Sequence, residues 1–269
     1  MAVITLTTDF GTRDTYVAEM KGAILSITRA VHVVDITHEV PPHDVLQGAL
    51  ALEAAAPGFP AATIHVAVID PGVGTARRGL AVASGDQVFI GPDNGLFTPF
   101  LGDSGWRAFE LTTTEYRRST VHQTFHGRDI FAPAAAHLAR GLEPARLGPP
   151  VADPVRLPWP EVRASEGRVS GTVVHVDRFG NLVTSIHADA IASLGSGVDV
   201  RVAGKRLPIV RTYGELRRGD AAALVGSSDR LEIAVNAGSA ARVLRAGRGA
   251  PVVVSRASSP AARRARRRS

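Results

Sequence analysis

The segment Val66-Ala67-Val68-Ile69 runs straight into Asp70-Pro71-Gly72, and no other feature restricts the fold so tightly. An apolar run closed by proline and glycine suits a central parallel strand buried on both faces. In open α/β sheets ligands gather at the carboxyl ends of such strands, which is where Asp70 stands, ahead of Gly72, Gly74, Arg77 and Arg78. Asp, Pro and Gly also favour turns for backbone reasons alone, so this segment taken singly is equally an ordinary turn. Two further segments repeat the arrangement and tip the balance. Thr7-Thr8-Asp9-Phe10-Gly11 follows the strand-like Val3-Ile4-Thr5-Leu6, and Phe125-His126-Gly127-Arg128-Asp129 precedes a helix-like run.

The order of periodic segments predicts an α/β fold: an N-terminal α/β domain with a mostly parallel sheet, and a smaller C-terminal β-barrel domain. Strands are expected at 3–8, 31–36 and 63–69, with a helical pattern through Tyr16, Val17, Met20, Ile24 and Leu25 and a second helix N-capped by Asp44. From Gly79 the segments shorten to 80–83, 87–90 and 106–111, as in an antiparallel extension, before a helix at 130–140. Prolines 144, 149, 150, 154, 158 and 160 mark a linker, so the first domain is placed at 1–160. Short β segments at 168–176, 182–186, 198–202 and 231–235 fill a second domain at 161–255, and 256–269 is an arginine-rich tail expected to be disordered.

Composition narrows the function classes. Of 269 residues 45% are hydrophobic, enough for a substantial core, and none is cysteine, which removes disulfides and thiolate metal sites. The first residues lack a basic stretch and meet Asp9 before a signal-length apolar segment forms, and no apolar run nears the ~20 residues of a membrane helix. A cytoplasmic protein without a membrane partner is the expectation. The formal charge is +6, yet Arg263, Arg264, Arg266, Arg267 and Arg268 account for five of those charges and leave a nearly neutral body. Polyanion binding, if any, then belongs to the tail, with log affinity falling against log salt at a slope of about −4 to −5.

Familiar cofactor motifs are missing. Gly72-Val73-Gly74-Thr75 has neither the Lys-Ser/Thr of a phosphate loop nor the third glycine of a dinucleotide fingerprint. His122 and His126 are four apart with no carboxylate between them, so no metal is expected. Asp129 reads most simply as an acid capping the following helix, whereas His126, beside a flexible Gly127, reads as a candidate catalytic imidazole. Asp9, Asp177 and Asn181 are ordinary turn residues taken one at a time. If they converge, they supply two carboxylates for hydroxyls or an ammonium and an amide able to read an adenine edge.

Together, Thr7 to Gly11, Tyr16 to Lys21, Ile69 to Arg78, Pro92-Asp93-Asn94-Gly95, Thr124 to Phe131, Phe179-Gly180-Asn181 and Asn236 to Ala240 resemble the S-adenosyl-L-methionine hydrolase family, the hydroxide adenosyltransferases related to fluorinases and chlorinases. The resemblance spans residues 2 to about 245 in order. It implies a homotrimer with sites between one subunit's N-terminal domain and a neighbour's C-terminal domain, and hydrolysis of S-adenosyl-L-methionine to adenosine and L-methionine without metal or organic cofactor. It assigns a catalytic triad to Asp70, Arg77 and His126. It puts Asp9 on the ribose hydroxyls, Asp177 on the methionine ammonium, Asn181 and the Ala237 backbone on adenine, with Glu232 and Val235 at the same end. Ser227 and Ser228 fall on the methionine carboxylate, although this chain has Ser227-Ser228-Asp229 where the family pattern is Ser-His-Asp.

The expected chemistry is in-line attack of water or hydroxide on the ribose C5′, displacing methionine from its sulfonium. Asp70 would orient or deprotonate the water, His126 would be its proton partner, and Arg77 would fix the carboxylate. The related halide enzymes replace the triad, and the fluorinases also carry an inserted loop in the N-terminal domain for which the spacing from Asp70 to Pro92 leaves little room. The alternatives are halide-dependent adenosyl transfer, which yields a 5′-halogenated nucleoside, and a non-catalytic adenosine or S-adenosylmethionine-binding protein.

Overall fold

A computed structural model describes residues 1–195 and 197–256, which divide into two compact units after Pro158. The first unit contains β1 (Ala2–Thr8), α1 (Tyr16–Ile27), β2 (Val31–Thr37), α2 (Val45–Ala55), β3 (Ile64–Val68), β4 (Gly79–Ser84), β5 (Gln87–Pro92), β6 (Trp106–Glu110), α3 (Ala132–Ala139) and β7 (Pro150–Val151). Its seven strands lie in the order β2-β1-β3-β5-β4-β6-β7. β1, β2, β3 and β5 pair in parallel, as the central apolar strand requires. The other pairs, β5 with β4, β4 with β6 and β6 with β7, are antiparallel.

The sheet is therefore mixed, not mostly parallel. The cause is local: β4 and β5 are joined by Gly85-Asp86, with Gly85 at φ 58°, and a two-residue link makes a hairpin while a parallel return needs a crossover. β3 is buried along its whole length. Met20 and Ile24 of α1 and Phe131, Ala135 and Leu138 around α3 join one core with Ile4, Leu6, Val66 and Val68. Asp44 caps α2 as expected, accepting from Gln47 N at 3.2 Å. The proline-rich stretch is fastened rather than loose, since Val155 N donates to Asp93 Oδ1 at 2.7 Å and Leu157 N to Thr98 Oγ1 at 2.8 Å.

The second unit holds β8 (Arg163–Ser165), β9 (Arg168–Val176), β10 (Leu182–His187), α4 (Ala188–Ala192), β11 (Val198–Val202), β12 (Lys205–Leu207), β13 (Ala221–Val225), β14 (Arg230–Val235), α5 (Ala240–Leu244) and β15 (Pro251–Arg256). Its strands form one sheet ordered β12-β11-β15-β9-β10-β14-β13, with β8 attached to β9. The sheet nearly closes on itself, because Val210 N donates to Ala223 O and Ala223 N to Pro208 O, both at 2.9 Å, linking the segment after β12 to the opposite edge. Val169, Leu182, Ile186, Ile233 and Val254 fill its interior. Arg256 belongs to β15, so the expected tail loses its first residue to the sheet, and 257–269 lie outside the described residues. Among the described residues no helix is long and apolar enough to cross a membrane.

Candidate active site

Asp70 follows the end of β3, and its backbone is braced from the neighbouring strand. Asn94 Nδ2 donates to Ile69 O at 2.8 Å, while buried Asp93 receives Arg78 Nε and Val155 N, each at 2.7 Å. The Pro92-Asp93-Asn94-Gly95 segment is thus a clamp on the loop that presents Asp70. That loop turns back through Val73 N to Asp70 O at 3.2 Å and Thr75 N to Gly72 O at 3.2 Å, which returns Arg77 to the carboxylate. Arg77 Nε donates to Asp70 Oδ1 at 2.9 Å and Nη2 bonds Oδ2, a two-point contact matched to the flat guanidinium. Both side chains are nearly covered, at 4% and 11% exposure.

His126 completes the group. Arg77 Nη2 also lies 2.8 Å from His126 Nδ1, across 49 residues of sequence. A guanidinium has only donors, so Nδ1 accepts and the imidazole proton sits on Nε2. Burial lowers the His126 pKa, the Arg77 charge lowers it further, and Asp70 opposes both. The ring is accordingly neutral at pH 7 and offers Nε2–H as a donor.

His126 sits at the mouth of a π-helical turn, Gly127–Phe131, that precedes α3. Such turns occur often at functional sites. Gly127 provides space more than flexibility: a Cβ there would lie 3.3 Å from Met20 Sδ and 3.5 Å from Val68. Asp129 is not a helix cap. Its fully buried carboxylate receives His122 N at 2.9 Å and Arg128 Nε at 2.7 Å, with His122 Nδ1 at 2.8 Å. Burial works against its charge, but these bonds prevail and hold the carboxyl at about 2. Arg128 continues to Glu19 Oε2 at 2.7 Å and covers the Phe125 ring at 4.9 Å, tying the turn to α1.

Asp9, Asp70 and His126 share one cavity of about 310 Å³, walled by the edge-on aromatic trio Phe10, Tyr16 and Phe125. Arg77 stands behind Asp70, outside that lining. Asp9 Oδ2 accepts from His43 N at 2.8 Å, and His43 holds a left-handed φ of 66°. Strained backbone of this kind is concentrated at working sites. His43 carried no signal in the sequence.

The remaining candidates line a second cavity, of about 660 Å³, within the second unit: Asp177, Asn181, Ser227, Glu232, Val235 and Ala237. Ser228 is its neighbour in the turn between β13 and β14. Asp177 Oδ1 accepts from Phe179 N at 2.9 Å and Asn181 N at 2.8 Å, and Oδ2 accepts from Asn181 Nδ2 at 2.9 Å. The turn reading of Asp177 is therefore also true of it. Ala237 adopts φ 55°. Tyr213, absent from the sequence expectations, donates from its hydroxyl to Glu232 Oε1 at 2.6 Å; burial and the carboxylates of Glu232 and Asp177 push its phenol up to about 12. Among the described residues no cluster of three or more His, Asp or Glu able to hold a metal ion occurs.

The family model described as SAM hydroxide adenosyltransferase N-terminal domain matches residues 4–148, and the one described as SAM hydroxide adenosyltransferase C-terminal domain matches 171–253. An (R)-S-adenosyl-L-methionine hydrolase from Thermus thermophilus is 43% identical over 91% of this chain and 96% of its own, and another from Salinispora tropica is 42% identical over 90% and 93%. A fluorinase from Actinopolyspora mzabensis is 31% identical over 94% of this chain and 97% of its own. The crystal structure of an uncharacterized conserved protein from Thermotoga maritima superposes with a TM-score of 0.90 at 35% identity, covering 94% of this chain and all of that one.

Proposed function

The chain belongs to the SAM hydroxide adenosyltransferase family, and on that premise we infer that it hydrolyses S-adenosyl-L-methionine to adenosine and L-methionine. The observation that carries the assignment of chemistry is Arg77 Nη2 bridging Asp70 and His126 at the edge of a cavity that also presents Asp9. The names of the relatives specify the (R) form of the sulfonium, and we take the same epimer as the substrate here.

A sulfonium leaves readily without an acid, so the demand falls on the nucleophile. Free water, with a pKa of about 15.7, supplies little hydroxide at neutral pH. Asp70 accepts a proton from the bound water, while His126 Nε2–H donates to the same oxygen and stabilises the hydroxide character that develops. Arg77 holds both groups in place and adds positive charge beside them. The water oxygen bonds to C5′ as the C5′–S bond breaks, its electron pair stays on the thioether sulfur of methionine, and the proton leaves through Asp70 to solvent. His126 thus acts as a donor in this reading, because its Nδ1 is already engaged by Arg77.

Asp9 takes the ribose hydroxyls, Asn181 and the Ala237 backbone take adenine beside Glu232 and Val235, Asp177 takes the ammonium, and Ser227 and Ser228 take the methionine carboxylate. The cavity of each unit carries only part of this set; the homotrimer that the family resemblance implies would join the first unit of one subunit to the second unit of a neighbour and bring the two parts together. No metal or organic cofactor is required, and the cysteine-free sequence suits a cytoplasmic setting.

The test is incubation of purified protein with each sulfonium epimer, in the presence and absence of chloride or fluoride, followed by chromatography. Adenosine and methionine from the (R) epimer are expected. A 5′-halogenated nucleoside would instead identify a halide-dependent transferase, and retained substrate without turnover a binding protein. Asp70→Ala should reduce the rate by about 10²–10⁴ while adenosine binding survives; a fully active variant would remove Asp70 from the mechanism.

A further inference from the structure

Behind Asp9 lies a second ordered chain of polar groups that the reaction does not use. Thr8, fully buried, places Oγ1 2.9 Å from His38 Nδ1. The same oxygen accepts from Phe10 N at 3.3 Å. On the far side of the ring, His38 Nε2 lies 3.1 Å from Asp35 Oδ1, within ion-pair distance but without hydrogen-bond alignment, and Asp35 Oδ2 accepts from Lys21 Nζ at 2.6 Å.

The proton positions in this chain follow from its ends. Asp35 is held as a carboxylate: burial opposes the charge, but the Lys21 bond and the His38 ring facing it lower its pKa below the usual carboxylate value. A carboxylate facing Nε2 favours the tautomer with its proton there, which leaves Nδ1 to accept. Thr8 has one hydroxyl proton, and it goes to Nδ1 while the oxygen accepts from Phe10 N. The opposite arrangement would turn a ring lone pair toward a carboxylate and leave a buried hydroxyl proton without this acceptor, which is costly.

His38 also acts through its backbone, since Gly11 N donates to His38 O at 2.8 Å. Its two attachments, to Thr8 and to Gly11, bracket Asp9 and Phe10. The loop that leaves His38 then closes on Asp9 from the other side, through His43 N to Asp9 Oδ2 at 2.8 Å. The Asp9 turn is thus fixed at three points by one loop, and His38, only 5% exposed, is where that loop is anchored to the sheet.

We propose that His38 is a positioning residue for ribose recognition: the Thr8–His38–Asp35 chain sets the Asp9 carboxylate in the orientation that receives the two ribose hydroxyls. The inference rests on the reading of Asp9 as the ribose-binding carboxylate, and the experiment separates the two. Dissociation constants of adenosine and 2′,3′-dideoxyadenosine are measured by calorimetry on the full chain, and the ratio between them reports hydroxyl recognition.

Asp9→Ala should reduce the preference for adenosine by about 10- to 100-fold, the scale of hydrogen bonds to a charged group. His38→Ala and Thr8→Val should each reduce it by about three- to tenfold, with dideoxyadenosine affinity unchanged, as expected for losing one neutral hydrogen bond's worth of orientation. His38→Asn, whose amide puts a polar atom where Nδ1 was, should retain most of the preference. Combining His38→Ala with Asp9→Ala should lose no more than Asp9→Ala alone. A general loss of stability would lower the active fraction without moving the ratio. A wild-type ratio in His38→Ala and Thr8→Val alongside a collapsed ratio in Asp9→Ala overturns the role of His38. A wild-type ratio in Asp9→Ala overturns the ribose reading and this proposal with it. If His38→Ala does not fold, the nearly isosteric Thr8→Val decides the matter.

Discussion

Arg77 Nη2 lies 2.8 Å from His126 Nδ1 while it also bonds Asp70 Oδ2, so one guanidinium fixes the proton of the imidazole and the orientation of the carboxylate together. This geometry separates two roles for His126 that an Asp-Arg-His combination alone leaves open. A base needs a free ring nitrogen, whereas a donor needs a proton on Nε2.

The difference can be read from amide substitutions. Glutamine reaches the position of Nε2 and can donate there; asparagine reaches only Nδ1. His126→Gln should therefore retain more kcat than His126→Asn, by about tenfold, the scale of one hydrogen bond to a charged oxygen. Equal losses of about 10²–10⁴ in both variants would favour a general base instead. Single-turnover rates at saturating substrate measure the comparison.

The proposed homotrimer, with each site shared between subunits, predicts complementation. Asp70→Ala damages the first unit and Asp177→Asn the second, and each homotrimer should be nearly inactive. Co-expressed at equal levels, they assemble at random, and some sites take an intact first unit from one subunit and an intact second unit from another, restoring about one quarter of wild-type activity in the whole population and about one third in isolated mixed trimers. No recovery in isolated mixed trimers would mean that each site is built by a single chain.

Much of this arrangement is legible in the sequence for identifiable reasons. β11 alternates, β9 is rich in valine, and both are bounded by turn formers, so their limits at Arg168–Val176 and Val198–Val202 match the pattern. β13 gave no strand signal, because Ala221-Ala222-Ala223 is a helix former's composition placed in a sheet by its neighbours. β4, β5 and β6 are legible as the short segments of an antiparallel extension, and β4 pairs antiparallel with both β5 and β6; what periodicity does not give is how large a share of the sheet that extension takes, which makes the sheet mixed instead of mostly parallel. Asp129 looked like a cap because it precedes a helix; its role as a buried anchor depends on His122 and Arg128 folding around it. The meeting of Asp70 with Arg77 is local, seven residues apart, whereas His126 joins them from 49 residues away and no spacing rule encodes that.

Acid should weaken the fold before it touches the carboxylates. His65 is fully buried on β3, with Nδ1 2.7 Å from Thr5 Oγ1 and its ring stacked on Phe89, and burial lowers its pKa from 6.5 to about 4. The unfolded chain takes up this proton near pH 6.5 and the folded chain only near 4, so stability is full above 6.5 and falls as pH drops through about 4. The displacement corresponds to about 3 kcal/mol. Burial lowers His126, His137 and His175 in the same direction. Urea midpoints should decline across this window, and His65→Leu should flatten the decline by about 3 kcal/mol. An unchanged slope in that variant would show that His65 does not carry the effect.

Gly74 makes the strictest demand on the loop between Asp70 and Arg77. It sits at φ +76°, and a Cβ there would come within 2.5 Å of Gln123 O, the backbone three residues before His126. Alanine at this position meets two penalties at once: left-handed backbone costs an L-residue about 1–2 kcal/mol, and the contact pushes the 123–126 segment away from Asp70. Gly74→Ala should thus lower thermal stability and reduce kcat by about tenfold or more through displacement of His126, with adenosine affinity retained because Asp9 is untouched. Gly22→Ala is the comparison, since Gly22 lies in α1 with open space around its Cβ position and alanine there should stabilise the helix by about 1 kcal/mol. A Gly74→Ala enzyme with wild-type kcat would show that the loop and the His126 segment can separate without loss, and would break the link between their packing and the placement of the Arg77 bridge.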